Sequence, residues 1–240
     1  MEDLPVTLQY FLNNPNAAYV LVLIAIAIAM FTSFNVKLTF SRYDKVISVK
    51  RVPASIIARQ ILDSNGLYDV KIEPVRGKLT DHYDPRCNTV RLSESTYNSC
   101  SVGAIGIAAH ECGHAIQHAA VYTPIKIRQA IFPVVNVANR TWIYLVIAGM
   151  FFPLFPGTTM IYIGIISFSL TALFQLLTLP VEFDASRRAM ATIAGQNILE
   201  ASEQKGARKT LNAAAMTYVA ALLVSLAQLI RLLAILNRRR

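Results

Sequence analysis

Charge is scarce in this 240-residue chain: Asp, Glu, Lys and Arg make up 15% of it, while 54% is hydrophobic. A typical soluble domain carries roughly 25% charged residues. With a mean hydropathy of +0.43, the shortage excludes an ordinary soluble domain and implies an integral membrane protein with one modest polar domain. Cysteine is nearly as scarce. Cys87, Cys100 and Cys112 are odd in number and form no C-x-x-C pair, which argues against a disulfide framework and suits a reducing compartment. No Lys or Arg precedes Lys37, and the first residues carry Glu2 and Asp3 instead, so the positive start of a signal peptide is missing. The net charge of +9 is not accompanied by a nucleic-acid motif or a basic patch interleaved with aromatics. Nucleic acid is therefore not an expected partner, and the basic excess is assigned to membrane topology.

Long apolar runs are present where charge is absent. Residues 17–34 form a first membrane helix of about the minimum spanning length, followed at once by Lys37, Arg42, Lys45, Lys50 and Arg51. Residues 35–140 are the large polar region. Within it, Pro53–Leu62 has helical spacing and stops near Asn65-Gly66, Val70–Val75 reads as a strand, and Lys78–Leu92 reads as two strands around a turn at Asp84–Asn88. Residues 141–180 read as a transmembrane hairpin, in which Trp142–Phe155 and Met160–Leu179 are split at Pro156-Gly157-Thr158. Residues 181–211 are polar and basic, and residues 212–236 form a last apolar helix interrupted by Gln228 and Arg231. Of 23 Lys and Arg, 14 fall in 35–140 and 5 in 181–211. The positive-inside rule places both segments in the cytoplasm and the N-terminus outside. Arg238, Arg239 and Arg240 run against the rule if the last helix crosses fully, so its depth is left open.

The chemistry concentrates in Ser101–Ala119, S-V-G-A-I-G-I-A-A-H-E-C-G-H-A-I-Q-H-A, within a helix expected over residues 100–120. His110-Glu111-Cys112-Gly113-His114 is an H-E-x-x-H motif. Residues four apart stack on one helix face, so two imidazoles can grip one ion. Glu111 is turned by about 100° from His110, beside that face, where a carboxylate can act on a water as general base. No Pro interrupts Leu92–Tyr122, and the preceding Ala, Ile and Gly residues suit a buried helix. Two histidines and a glutamate on an ordinary polar stripe would be the plain alternative, but buried ionisable groups cost several kcal/mol unless paired or metal-bound. Gly113 in mid-helix fits a need for room beside it. Cys112 lies on the far side and reads as a small core residue.

A catalytic zinc has three protein ligands and one open position. The third His of metzincins would stand at position 120, which is Ala, so that class is excluded. His118 is nearly in line with the other two and reads as a helix-end residue. Better candidates lie in Pro180–Ala189, P-V-E-F-D-A-S-R-R-A, which the hairpin topology returns to the membrane face of His110. Glu182 and Asp184 are both possible there, and Asp184 with Arg188 also makes a plain i,i+4 surface pair. His82, Arg188 and Tyr218 are candidates for facing the metal and helping a developing oxyanion.

H-E-C-G-H-A-I-Q, T-D-H-Y-D-P-R with the V-R-L-S after it, and P-V-E-F-D-A-S-R-R-A resemble the bacterial membrane-bound neutral zinc metallopeptidases, the YugP-like family. They are similar, more distantly, to the HtpX and CAAX-prenyl protease group of membrane gluzincins. The likeness runs through most of the chain and implies one Zn2+ ion, a polypeptide substrate, and Glu182, in the place of the glutamate that opens E-[FY]-x-A-D, as the third ligand. Ser186 departs from that pattern, where the wider group carries an aspartate that steadies a ligand histidine. On this likeness Asp184 or another group must do that work, or the zinc is held less firmly.

The combined expectation is a mainly α membrane protein with about four membrane helices and a small α+β, gluzincin-like protease domain. It is expected in the bacterial cell membrane, multi-pass, with its site on the cytoplasmic side. His110, His114 and Glu182 would bind zinc, and Glu111 would be the base in hydrolysis of membrane-proximal or unfolded polypeptides. Asp184, Arg188, His82 and Tyr218 would support the metal or the substrate. The rival is a zinc-binding membrane scaffold or adaptor of a larger proteolytic complex, which needs neither Glu111 nor an open coordination position.

Overall fold

The computed structural model describes residues 5–151 and 157–238. Glu2, Asp3, Phe155, Pro156, Arg239 and Arg240 lie outside the described residues. Four helices are long and apolar enough to cross a membrane: α2 (Pro15–Tyr43), α6 (Thr123–Phe151), α7 (Gly157–Gly195) and α8 (Ala201–Asn237). A short helix α1 (Val6–Asn13) precedes them. In their most apolar windows only 17% of residues are buried in α2 and α6, and 33% in α7 and α8. Leu23, Ile24, Met30, Val137, Tyr144 and Ile166 are among the large apolar side chains left exposed. Helices this apolar on the outside satisfy their backbone internally and leave their side chains to lipid. This is a mainly α membrane protein with a small α+β part.

The chain forms two compact units. The helical unit takes the described parts of 1–31, 127–179 and 218–240. Its interior is thin: Val146, Ile161, Ile165, Phe168, Leu232 and Leu236 form one cluster, with Trp142 edge-on to Phe168 at 4.7 Å. Gly164 lets two helices touch, since a Cβ there would stand 2.7 Å from Val146 Cγ2 and 3.1 Å from Trp142 O. Arg231, a charge in the apolar stretch of α8, donates to Gln228 at 3.3 Å and lies 5.2 Å from the Tyr19 ring centroid. The helix is not broken there.

The α+β unit takes 32–126 and 180–217. Its three-stranded sheet has the order β1-β3-β2, where β1 (Lys71–Val75) runs parallel to β3 (Thr89–Ser93) and β2 (His82–Asp84) pairs antiparallel with β3 at the edge. Asn88, at a φ of 50°, turns the chain between β2 and β3. Helix α3 (Ala54–Ser64) ends as its Asn-Gly signal implies, with Gly66 at a φ of 73°. One turn of helix, α4 (Glu94–Tyr97), leads to α5 (Val102–Ala119). Ser101 caps α5, its Oγ accepting from the Ala104 N–H at 3.1 Å. Ile61, Leu62, Val90, Leu92, Ile105 and Ile193 are at most 1% exposed and centre a single core.

Hydropathy places a helix end at Leu179 and a polar segment at 181–211. The helix itself outlasts the apolar run: α7 continues through Pro180 to Gly195, and α8 begins at Ala201. Pro180 removes one helical hydrogen bond without ending the helix. The continuation is held by Val181, Ala185, Ala189 and Ile193, every fourth residue and each at most 1% exposed. A stripe of that spacing is amphipathic, so it disappears in an average over a window.

Candidate metal centre

Helix α5 sets His110 and His114 one turn apart on one face, with ring centroids 4.7 Å apart and planes at 84°. Facing them is Glu182 of α7, 4% exposed. Its Oε2 lies 3.4 Å from His110 Nε2 and 3.5 Å from His114 Nε2. One donor atom from each of the three residues lies within 4.8 Å of the others. A tetrahedral zinc with bonds of about 2.1 Å holds its ligand atoms about 3.4 Å apart. The two measured separations match that spacing, and two imidazole nitrogens with one carboxylate oxygen form a catalytic zinc donor set that leaves a fourth position open. The residues fit the ion.

Gly113 explains how α7 comes so near. A Cβ at this position would stand 2.6 Å from the carbonyl oxygen of Ala185 and 3.2 Å from its carbon, a contact that backbone cannot relieve. The missing side chain therefore lies between His114 and the turn of α7 that carries Glu182, Asp184 and Ser186.

Each imidazole is also held from behind. His110 Nδ1 lies 3.1 Å from Ser186 Oγ. The serine at the departure from the wider pattern thus touches a histidine itself, while Asp184 reaches the other one through an intermediary. His114 Nδ1 lies 3.0 Å from Oε1 of Gln117, which is fully buried. Gln117 Nε2 donates to Val181 O at 2.8 Å and to Asp184 Oδ2 at 2.9 Å. Asp184 also accepts from Arg188 Nε at 2.6 Å and from Arg187. The i,i+4 pair of Asp184 and Arg188 forms as expected, and Arg188 lies 5.7 Å from the Tyr122 ring centroid. Gln117 was not among the residues that sequence reasoning selected. Its one signal is a position three residues after His114, on the same helical face.

Glu111 is 8% exposed. Burial pushes its carboxyl up to about 7; the neighbouring His110 opposes this, Glu182 and Asp81 add to it, and the backbone N–H of Tyr83 at the sheet edge opposes it by a hydrogen bond. Cys112 is fully buried, its Sγ 3.6 Å from Ala58 O, and burial pushes its thiol up. Both facts mark a core residue. His118 is exposed in the last turn of α5, 6.0 Å from the Tyr83 ring between centroids. His82 is exposed on β2, with Nδ1 2.8 Å from Thr80 O. Tyr218 belongs to the helical unit, half-buried on α8. The fold thus gathers His110, Glu111, His114, Glu182 and, through Gln117, Asp184 with Arg188. His82 is turned toward its own loop.

Helices with lipid-facing exteriors, and an α+β unit with two histidines and a glutamate at the spacing of zinc ligands, define a membrane metalloprotein. The family model described as "Putative neutral zinc metallopeptidase" matches residues 18–237. The chain belongs to this family, so it is a zinc peptidase of the membrane. It is similar to the "Putative membrane protease YugP" of Bacillus subtilis (strain 168), at 47% identity over 220 residues, 91% of this chain and 96% of that protein. No solved structure matches.

Proposed function

We propose that this chain is a gluzincin-type endopeptidase that binds one zinc through His110, His114 and Glu182 and uses Glu111 as general base. The observation that carries the reading is that Glu182 Oε2 lies 3.4 and 3.5 Å from the two histidine Nε2 atoms. When bound, the ion would supply Lewis acidity, polarising a peptide carbonyl and acidifying a water. Glu111 takes a proton from the attacking water and returns it to the leaving amine, as its place beside His110 on α5 allows.

The substrate strand lies along β2, an edge strand of the sheet. The preferred substrates are unfolded or membrane-proximal polypeptides, because α7 carries Glu182 on the same continuous helix that supplies an apolar span. The unit works on the cytoplasmic side of the bacterial cell membrane: 19 of the 23 Lys and Arg lie in 35–140 and 181–211.

The test is Glu111→Gln in the full-length protein, in detergent or liposomes. The expected result is zinc at one per chain with proteolysis of an unfolded protein down about 100-fold or more. Cleavage at the wild-type rate removes Glu111 from the mechanism, and a wild type that holds zinc without cleaving favours the adaptor role.

A further inference from the structure

We infer that Gln117 is a positioning residue that fixes the tautomer of His114, and that Asp184, itself held by Arg188, fixes the orientation of Gln117. The inference rests on His114 as a metal ligand and adds to that reading a statement about where a proton sits. The amide of Gln117 has one end that only donates and one that only accepts. Its nitrogen end faces a backbone carbonyl, Val181 O at 2.8 Å, and a carboxylate oxygen, Asp184 Oδ2 at 2.9 Å. Both partners are acceptors, because Val181 O has no proton and Asp184 already accepts from the guanidinium groups of Arg187 and Arg188. The reversed amide would point an oxygen at two oxygens inside a fully buried pocket. The orientation is therefore determined.

Both amide hydrogens are then used, and Oε1 is left facing His114 Nδ1 at 3.0 Å. An amide oxygen can only accept, so His114 Nδ1 must carry the proton. In the neutral ring its Nε2, on the side of Glu182, is then the lone pair that can take a cation. A free imidazole has no such constraint, so the fold selects this tautomer before any metal arrives.

The second histidine is held differently. His110 Nδ1 meets the hydroxyl of Ser186 at 3.1 Å, and a hydroxyl can donate or accept by rotating. One imidazole is thus locked by an amide that cannot turn, and the other is held by a group that can. The lock on His114 bridges α5 and α7: Gln117 lies three residues beyond His114, while Val181 and Asp184 flank Glu182. The two backbones approach at the Gly113–Ala185 contact, so the segment that brings the carboxylate ligand also orients the imidazole.

The test uses full-length protein in micelles with labelled histidine ring nitrogens, first without metal. The expected wild-type result is His114 as the Nδ1–H tautomer in ring-nitrogen NMR. Gln117→Leu, with no acceptor, should lose that signature and bind zinc about 10- to 100-fold more weakly in a chelator competition. A neutral ring protonated at Nε2 and bare at Nδ1 in the wild type overturns the proposal, whatever the variants do. So does a Gln117→Leu protein, folded by circular dichroism, with unchanged tautomer and zinc affinity. If Gln117→Leu does not fold, Asp184→Asn stands in, and an unchanged His114 spectrum in it overturns the role given to Asp184. If wild-type zinc binding survives His114→Ala, the ligand reading fails, yet the tautomer measurement on metal-free protein still stands.

Discussion

Side-chain carboxylates separate the two units of the molecule. Of 14, all but Glu2 and Asp3 lie from Asp44 to Glu203 in the α+β unit, and the helical unit has none in 127–179 or 218–240. Burial follows the same division. Glu111, Gln117, Glu182 and Asp184 are each at most 8% exposed and all lie in the α+β unit, whereas among the described residues the helical unit buries only Thr171, Thr178 and Ser225 of its polar side chains. The contrast shows what each unit is built against. Lipid solvates apolar side chains, so the helical unit needs only small contacts such as Gly164 to hold its helices together. Water excludes apolar groups, so the α+β unit has a real core, and a core can shelter charged donors at fixed spacing.

Glu182→Ala removes the carboxylate from between two imidazoles, and zinc should fall from one per chain to a small fraction of that. Membrane insertion should not change, because the helical unit keeps its apolar helices. Metal analysis of the protein recovered by liposome flotation checks both halves. Full zinc occupancy in this variant would pass the ligand role to Asp184.

A pair of glycine substitutions tests the division next. Gly113→Ala drives a Cβ to 2.6 Å from a backbone oxygen, and Gly164→Ala drives one to 2.7 Å from a side-chain methyl. Each should destabilise by about 1–3 kcal/mol through overpacking, the first more because backbone cannot yield. Only Gly113→Ala should also weaken zinc binding. Thermal unfolding and chelator competition on both proteins read the difference. Equal zinc affinity in the two would separate the close approach of α5 and α7 from the metal centre.

The smallest effect sharpens the contrast through pH. The backbone N–H of Arg86, and after it the Arg91 guanidinium at 3.1 Å, hold the Asp84 carboxyl below the usual carboxylate range. A depressed folded value adds stability that is present above the unfolded value of about 3.9 and is lost as pH falls through the folded one. Asp84→Asn should therefore lower the Tm slightly at neutral pH, and the gap to wild type should close in acid as pH falls through the depressed folded value. A gap that persists in acid would show that Asp84 acts through packing and not through its charge.

Much of this was legible in the chain itself. The i,i+4 histidines needed only helical periodicity, and the membrane helices needed only hydropathy. The hairpin at Lys78–Leu92 was carried by alternation around a turn signal, and the structure makes it as β2 and β3. The acid partner was narrowed by topology, since a returning hairpin brings Pro180–Ala189 to the membrane face of His110. Other features were not legible. A glutamine three residues after a histidine is commonplace on a helix, and nothing in the chain says that Val181 and Asp184 wait opposite it. Ser186 looked like the loss of a supporting carboxylate, and only its 3.1 Å contact with His110 shows the hydroxyl in that place.

The sequence by itself determined what each segment is: which helices face lipid, which helix carries two imidazoles on one side, and where charge gathers. Those are properties of neighbours along the chain, set by a period of 3.6 residues and by the cost of placing charge in hydrocarbon. Only the tertiary structure decided how the donors are aimed. Gln117 meets Val181 and Asp184 across 64 and 67 residues, and His110 meets Ser186 across 76. A hydrogen bond fixes a proton only when both partners are held at about 3 Å, and that spacing exists once Gly113 has let α7 rest against α5.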